Sequence, residues 1–253
     1  SYLANKNSSS EKVEMIKISY NVLKSLINIP LYIFKRPKIQ KPLHVSHSDW
    51  PQYLSEKFNK PGLRILEIGS RNVTGSNHRK LFSEAKYIGL DFYAGENVDI
   101  VGDIHRLPMY FNNEEKFDLI FCSAVFEHLY MPWVAAKHMT ELLKVGGHIF
   151  VETHFSHVAH ERPWNFFQFS DMGLRALFND GLGMEVLDCG MSNPVVGMFN
   201  SHSDNYLRFR PVKELYCHSE ILVRKYKHVE DFDWDALNPE QLVGSTKYPE
   251  PNQ

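Results

Sequence analysis

The chain has 253 residues, 43% of them hydrophobic, which suits one sizeable α/β domain with additions. A net charge of −2 argues against the concentrated basic face that nucleic-acid binding asks for. Three widely spaced cysteines, Cys122, Cys189 and Cys217, form no CxxC pair; this excludes a disulfide framework or cysteine-based zinc site and points to a reducing, cytoplasmic setting.

The opening SYLANKNSSSEK is polar, lacks a signal-peptide core, and reads as a tail. From Ile16 to Lys38 the chain is rich in Ile, Leu and aromatics, but Lys17 and Lys24 interrupt the run and Pro30 breaks it. That makes a poor membrane span. It predicts a helix capping the core or the site, and peripheral membrane contact through 16–34 is the less favoured alternative. Residues 1–60 are therefore expected to be tail and helical cap, 61–237 the main domain, and 238–253 a Pro-containing tail over the surface.

Alternation begins after Pro61. RILEIG (64–69) reads as a buried strand ending in a glycine turn, HRKLFSEA (78–85) as a helix, and KYIGLD (86–91) as a second strand. ENVDIVGD (96–103) holds a short third strand and FDLIFCSAVFEH (117–128) a strongly apolar fourth. MPWVAAKHMTELLKVGG (131–147) has helical spacing with a Gly146-Gly147 stop, and HIFVETH (148–154) is a fifth strand. A helix over 170–180 has Ser170 as N-cap. MEVLDCG (184–190) and SEILVRKY (219–226) complete seven strands, with no clear helix between them. The pattern predicts a doubly wound, mostly parallel α/β sheet with an antiparallel edge pair. The long connection 191–218 is expected to be an insertion near the acceptor side.

Open α/β sheets bind ligands beyond the carboxyl ends of their strands. Three ligand classes compete for the turn after Ile68. A P-loop needs GxxxxGK[ST], and no lysine follows Gly75. A dinucleotide fold needs GxGxxG, and its second glycine position is Arg71. S-adenosylmethionine carries no phosphate, so the glycine demand relaxes, while its ribose still wants a carboxylate. Asp91, about 20 residues beyond the turn, is placed to supply it.

LEIGSRNVTG, YIGLD, GDIHRLP, FDLIFCSAVFEHL and ELLKVGGHIFVET resemble, in order and spacing, the motifs of class I S-adenosylmethionine-dependent methyltransferases of the type 11 small-molecule branch. HERPWNFFQFSDMGLRALF resembles a segment of members found in glycan and secondary-metabolite pathways. The resemblance spans roughly Leu63 to Gly190 and implies a Rossmann-like fold and an S-adenosyl-L-methionine cofactor. It implies that Glu67 and Gly69, with Ser70 and Arg71 in the turn, form the first cofactor motif. Asp91 would bind the ribose, with Phe92 toward the adenine. Asp103 and Ile104 would lie at the adenine edge. Ser123 and Ala124 would close the pocket, and Glu127-His128 match the family's pair after the fourth strand. Two features depart from the family. Ser70-Arg71-Asn72 replaces a glycine-rich turn, and Asn165 and Gln168 stand where the family has Asp and Arg on the acceptor side. These departures motivate an alternative, a catalytically inactive binding or partner subunit that keeps the fold.

Methyl transfer to an alcohol needs a proton acceptor, and histidine suits neutral pH. His154 and His157, then His128, are the candidate bases. His160, Trp164, Phe166 and Arg208 are candidate acceptor contacts. Taken singly, each histidine reads more readily as an ordinary hydrogen-bonding pocket or loop residue than as a base. The i, i+3, i+6 spacing of His154, His157 and His160 has ligand-type residues but no HExxH-like helical pattern, so no metal site is expected. The expected reaction is O-methylation of a small-molecule or glycan acceptor in a biosynthetic pathway.

Overall fold

The structure, a computed structural model, describes residues 2–73, 75–112 and 116–238. The chain runs through α1 (Tyr2–Ile33), α2 (Trp50–Phe58), β1 (Arg64–Ile68), β2 (Lys86–Asp91), β3 (Ile100–Val101), β4 (Phe117–Ser123), α3 (Pro132–Glu141), β5 (Leu143–His154), α4 (Asp171–Leu177), β6 (Met184–Met198) and β7 (Pro211–Lys225). The strands form one seven-stranded sheet in the order β3-β2-β1-β4-β5-β7-β6. β1 to β5 pair in parallel, and β7 runs antiparallel to β5 with β6 outside it. This is the expected doubly wound, Rossmann-like sheet with its antiparallel edge.

The central strands read as nearly continuous apolar runs because both faces are covered. Side chains alternate between faces with period two. Leu66, Ile68, Ile120, Cys122, Ile149 and Val151 pack with Ala135, Ala136 and Met139 of α3 and Leu174 of α4. Ile65, Leu119, Phe121 and Phe150 face the other way, onto Trp50, Leu54 and Phe58 of α2 and onto Phe82. At about 1.5–3 kcal/mol per buried large side chain, these two layers hold the strand ends in place.

Several local expectations change. The polar start is part of α1, which continues through Pro30. The helix expected over 78–85 is a 3-10 turn, His78–Phe82. The helix expected over 131–147 stops at Glu141, and β5 begins at Leu143. Gly146, at φ +88, and Gly147 lie within β5, near the shift in the β4–β5 register between Phe117 and Leu119. A glycine at positive φ serves a bulge as well as a helix stop, so the pair alone does not discriminate. Strands β6 and β7 extend inward to Met198 and Pro211, so most of 191–218 is strand. Residues 239–253, where the C-terminal tail was expected, lie outside the described residues.

The chain divides into two compact units. The larger, 40–192 with 217–253, holds the parallel strands. The smaller, Ser1–Ile39 with Asn193–Tyr216, contains α1 and the connection between β6 and β7. Within it Asn21 Nδ2 donates to the Arg208 carbonyl at 3.0 Å, and Ser25 Oγ donates to the Phe209 carbonyl. Among the described residues, no helix is long and apolar enough to cross a membrane.

Candidate functional site

The candidate residues of the larger unit gather at the carboxyl ends of β1, β2, β4 and β5. Gly69 ends β1 at φ +78, and an added Cβ would stand 2.4 Å from Val125 Cγ2. Only glycine lets this turn close against the segment after β4. The Gly69 and Ser70 amides donate to the Leu90 carbonyl at 2.8 and 3.2 Å, tying the turn to the end of β2. Asp91 stands there. Its Oδ2 accepts from the Arg71 amide at 3.1 Å and its Oδ1 from the Tyr93 amide at 2.9 Å. Arg71 Nε lies 3.6 Å from Asp91 Oδ1, and the guanidinium lies over the Tyr93 ring. Ser70 Oγ is buried and makes no hydrogen bond among the described residues. Glu67 is buried and accepts from His78 Nδ1 at 2.8 Å. Burial raises its pKa, against the pull of His78.

The β3 and β4 ends supply the next wall. Asp103 Oδ1 accepts from the amide of His105 at 2.9 Å and from its Nδ1 at 2.7 Å. The His105 Nε2 accepts from the Met131 amide at 3.3 Å, and its ring stacks on Tyr130. Ile104 turns its side chain into the core. Ala124 adopts φ +54, a left-handed conformation uncommon outside glycine and frequent at functional sites. Its amide donates to the Glu152 carbonyl at 3.0 Å, while Ser123 Oγ donates to Glu152 Oε1 at 2.7 Å. Aromatic rings close the rim: Phe92 lies 6.3 Å from Trp164, Trp164 5.9 Å from Phe166, and Phe166 6.2 Å from Tyr130. Phe92, expected on the cofactor side, and Trp164 and Phe166, expected on the acceptor side, thus lie in one chain of ring contacts.

Glu127 organises the histidines. It is fully buried, with Oε1 accepting from His154 Nδ1 at 2.6 Å and Oε2 from Thr153 Oγ1 at 2.7 Å. Burial acts to raise its pKa, but the His154 and Thr153 hydrogen bonds outweigh it and hold the carboxyl below its ordinary value. An ionised Glu127 only accepts, so His154 carries a proton on Nδ1. The His157 ring stacks on His154 at 4.2 Å, and His160 meets both edge-on. Desolvation, then the His154 and His160 imidazoles, lower the His157 pKa. His128 Nδ1 donates to the Trp164 carbonyl at 2.6 Å. Arg208 belongs to the smaller unit, where its Nη2 donates to the Ser203 carbonyl at 3.4 Å.

Residues not anticipated from sequence complete the cluster. The β5–β7 register sets Glu152 opposite Glu220 and His154 opposite His218. His47 donates to Glu152 Oε2 at 2.8 Å and stacks on His218 at 4.0 Å. The hydrogen bond to Glu152 raises the His47 pKa, whereas burial pushes His218 down to about 4. Burial, then the Glu152 charge, pushes Glu220 up to about 8, although the Ser192 hydroxyl donates to it. The alternation CHSE before the apolar run hints at inward polar residues, but the partner strand is not written in it.

Glu220 carries a pH prediction. Its folded pKa of about 8 stands above the unfolded value near 4.3, so between them the folded state holds a proton that the unfolded chain has lost. The stabilisation is complete below about pH 4 and lost as pH rises toward 8. Glu220→Gln removes this titration. Its stability relative to the parent is expected to improve between pH 5 and pH 8.5 by about 2–4 kcal/mol, at ~1.4 kcal/mol per unit. Thermal unfolding at both pH values reads the change; a constant difference would refute it.

A cavity of about 140 Å³, lined by Lys137, Thr140, Lys225 and Phe232 among others, contains none of these residues. The candidate residues lie instead at the strand ends, where a doubly wound sheet offers its crevice.

Comparison with known proteins gives the family. A model of a methyltransferase domain matches residues 40–190, more than half of the chain. Among solved structures, the 1,6-didemethyltoxoflavin-N1-methyltransferase of Burkholderia thailandensis, with 1,6-didemethyltoxoflavin and S-adenosylhomocysteine bound, is 12% identical over 70% of this chain and 76% of its own, with a TM-score of 0.49. The YcgJ protein of Bacillus subtilis is 16% identical over 73% of this chain and 100% of its own, with a TM-score of 0.49. The N-methyltransferase NodS of Bradyrhizobium japonicum, in complex with S-adenosylhomocysteine, is 16% identical over 70% of this chain and 84% of its own, with a TM-score of 0.44. No curated protein matches the chain significantly. With its family match running from Gln40 through the Gly69 turn, the β4 end and the histidine loop to Gly190, the chain belongs to the methyltransferase-domain family.

Proposed function

We propose that this chain is an S-adenosylmethionine-dependent O-methyltransferase acting on a hydroxyl of a small-molecule or glycan acceptor. The observation that carries the reading is the Glu127–His154 pair, 2.6 Å apart at the ends of β4 and β5, beside the Gly69–Asp91 turn. The residues at that turn fit the cofactor: a glycine that no side chain could replace, a buried Ser70 hydroxyl without a partner among the described residues, and a strand-end carboxylate. Asp91 would hold the ribose hydroxyls, Phe92 would lie against the adenine, and Asp103 would accept from its amine. S-Adenosylmethionine, when bound, supplies a methyl on a sulfonium sulfur, which keeps the C–S electron pair as the acceptor oxygen takes the methyl.

The protein's own work is alignment and deprotonation. Positioning alone can supply on the order of 7 kcal/mol. Glu127 fixes the tautomer of His154, whose Nε2 receives the acceptor's hydroxyl proton. His157 and His128 stand beside it, and Trp164 and Phe166 offer ring faces to an apolar or sugar-ring acceptor.

The test begins with calorimetry. S-Adenosylmethionine and S-adenosylhomocysteine are expected to bind with micromolar affinity and NAD not at all. Label transfer from radiolabelled donor to candidate hydroxylated acceptors follows. His154→Ala is then expected to lower kcat by about 10²–10⁴-fold while leaving cofactor affinity unchanged. Full turnover in both His154→Ala and His157→Ala would remove the imidazole base from the mechanism.

A further inference from the structure

The histidine loop after β5 offers more than a base. Ring nitrogens of His154, His157 and His160 all lie within 4.8 Å of one another. The proton positions follow from the partners. His160 Nδ1 lies 2.9 Å from the Val158 carbonyl, which only accepts, and His154 Nδ1 lies 2.6 Å from the Glu127 carboxylate. Both rings therefore carry a proton on Nδ1, which leaves Nε2 as the nitrogen not engaged by these partners. An imidazole tied through one nitrogen to a carboxylate or backbone carbonyl is the form in which histidine binds metals. Charge points the same way. Glu127 is fully buried, and among the described residues it pairs with no lysine or arginine. A buried carboxylate with no lysine or arginine partner suits a cation held by the imidazoles in front of it.

We propose that His154, His157 and His160 bind one divalent transition-metal ion of the zinc class through their imidazoles, with Glu127 as the carboxylate behind His154. Imidazole donors select such ions over magnesium or calcium. Three neutral nitrogens leave a fourth position open, as in catalytic rather than structural zinc sites. Tetrahedral binding brings the nitrogens to about 3.4 Å apart, given Zn–N distances near 2.0–2.1 Å. The exposed His157 can swing to close that gap. His218 and Cys217 also lie within 4.8 Å of His154, but the His218 ring is stacked on His47. In the loop set it is the stack of the exposed His157 on His154 that opens as His157 swings. Metal binding stands apart from the methyltransferase reading. Its use rests on that reading: an acceptor hydroxyl in the open position would be acidified by the ion and release its proton to solvent, replacing the imidazole base.

The experiment uses the full chain, freed of any affinity tag and stripped with chelator, titrated with Zn²⁺ by calorimetry and with Co²⁺ by visible absorption. The expected result is one equivalent of Zn²⁺ and intense Co²⁺ bands of a four- or five-coordinate site. His157→Ala and His160→Ala should each weaken Zn²⁺ binding at least about tenfold, and His228→Ala should not. His157 is exposed, so its removal leaves folding intact. Equal Zn²⁺ affinity in the parent and the His157→Ala/His160→Ala double variant, or Co²⁺ bands no stronger than the hydrated ion's, would overturn the site. S-Adenosylmethionine calorimetry on the same samples separates the two readings. Cofactor binding without metal binding removes only the metal, and metal binding without cofactor binding removes only the methyltransferase assignment.

Discussion

Asp91→Ala is expected to weaken S-adenosylmethionine binding about 10- to 150-fold, or about 1.5–3 kcal/mol, the range for hydrogen bonds to a charged group. The direction follows from geometry. Asp91 closes β2 beside the Gly69 turn and accepts from the Arg71 and Tyr93 amides. In the free protein its carboxylate also faces the Arg71 side chain. In the proposed cofactor site, alanine removes the ribose acceptor and leaves the Arg71 charge unmatched beside a cationic ligand, so both changes oppose binding. Thermal unfolding serves as control, because the lost amide partners also loosen the turn. Calorimetry showing unchanged affinity in a folded variant would remove Asp91 from the cofactor site.

The second large effect belongs to Glu127, which in the proposed mechanism positions His154. Glu127→Ala strips a buried carboxylate from His154 and Thr153 and leaves a cavity; a loss of about 3–5 kcal/mol in stability is expected. That is a sizeable part of the roughly 5–15 kcal/mol that holds a domain together. Glu127→Gln keeps the volume and restores most of the stability. Its amide can donate as well as accept, so it no longer enforces the Nδ1-protonated tautomer of His154. Turnover is expected to stay about 10²–10⁴-fold down, with the acid limb of the pH–rate profile displaced. A merely structural role for Glu127 would instead let the glutamine variant recover both stability and rate.

The parallel half of the fold was legible because its strands are buried on both faces. Ile65–Ile68 and Leu119–Cys122 announce themselves as apolar runs, and the strand-end rule then singles out Gly69, Asp91 and Asp103. The antiparallel edge was not. Ser192–Met198 mixes Asn, Pro and Gly with valines and is largely exposed, so no hydrophobic period betrays a strand. The polar start of α1 hides its helix for the same reason. Within the site, the loop histidines were visible as local chemistry. His47, His218 and Glu220 were not, because each reaches the cluster from a distant part of the chain: His47 meets Glu152 from 105 positions away. Asp103 was visible, but its partner His105 depends on the fold of a 3-10 turn.

The pairing of β5 with β7 has a consequence for how this protein can change. Glu152 faces Glu220 and His154 faces His218 in consecutive same-side rungs. A strand repeats every two residues, so a one-residue deletion within Cys217–Glu220 would bring the wrong residue to each rung and dismantle the rows of acids and imidazoles at once. Insertions in the turn 199–210 leave that register untouched. Length variation among descendants of this sequence should therefore collect in the turn and be purged from the neighbouring strand. A deep mutational scan that includes single-codon deletions would show the boundary as a step between the two.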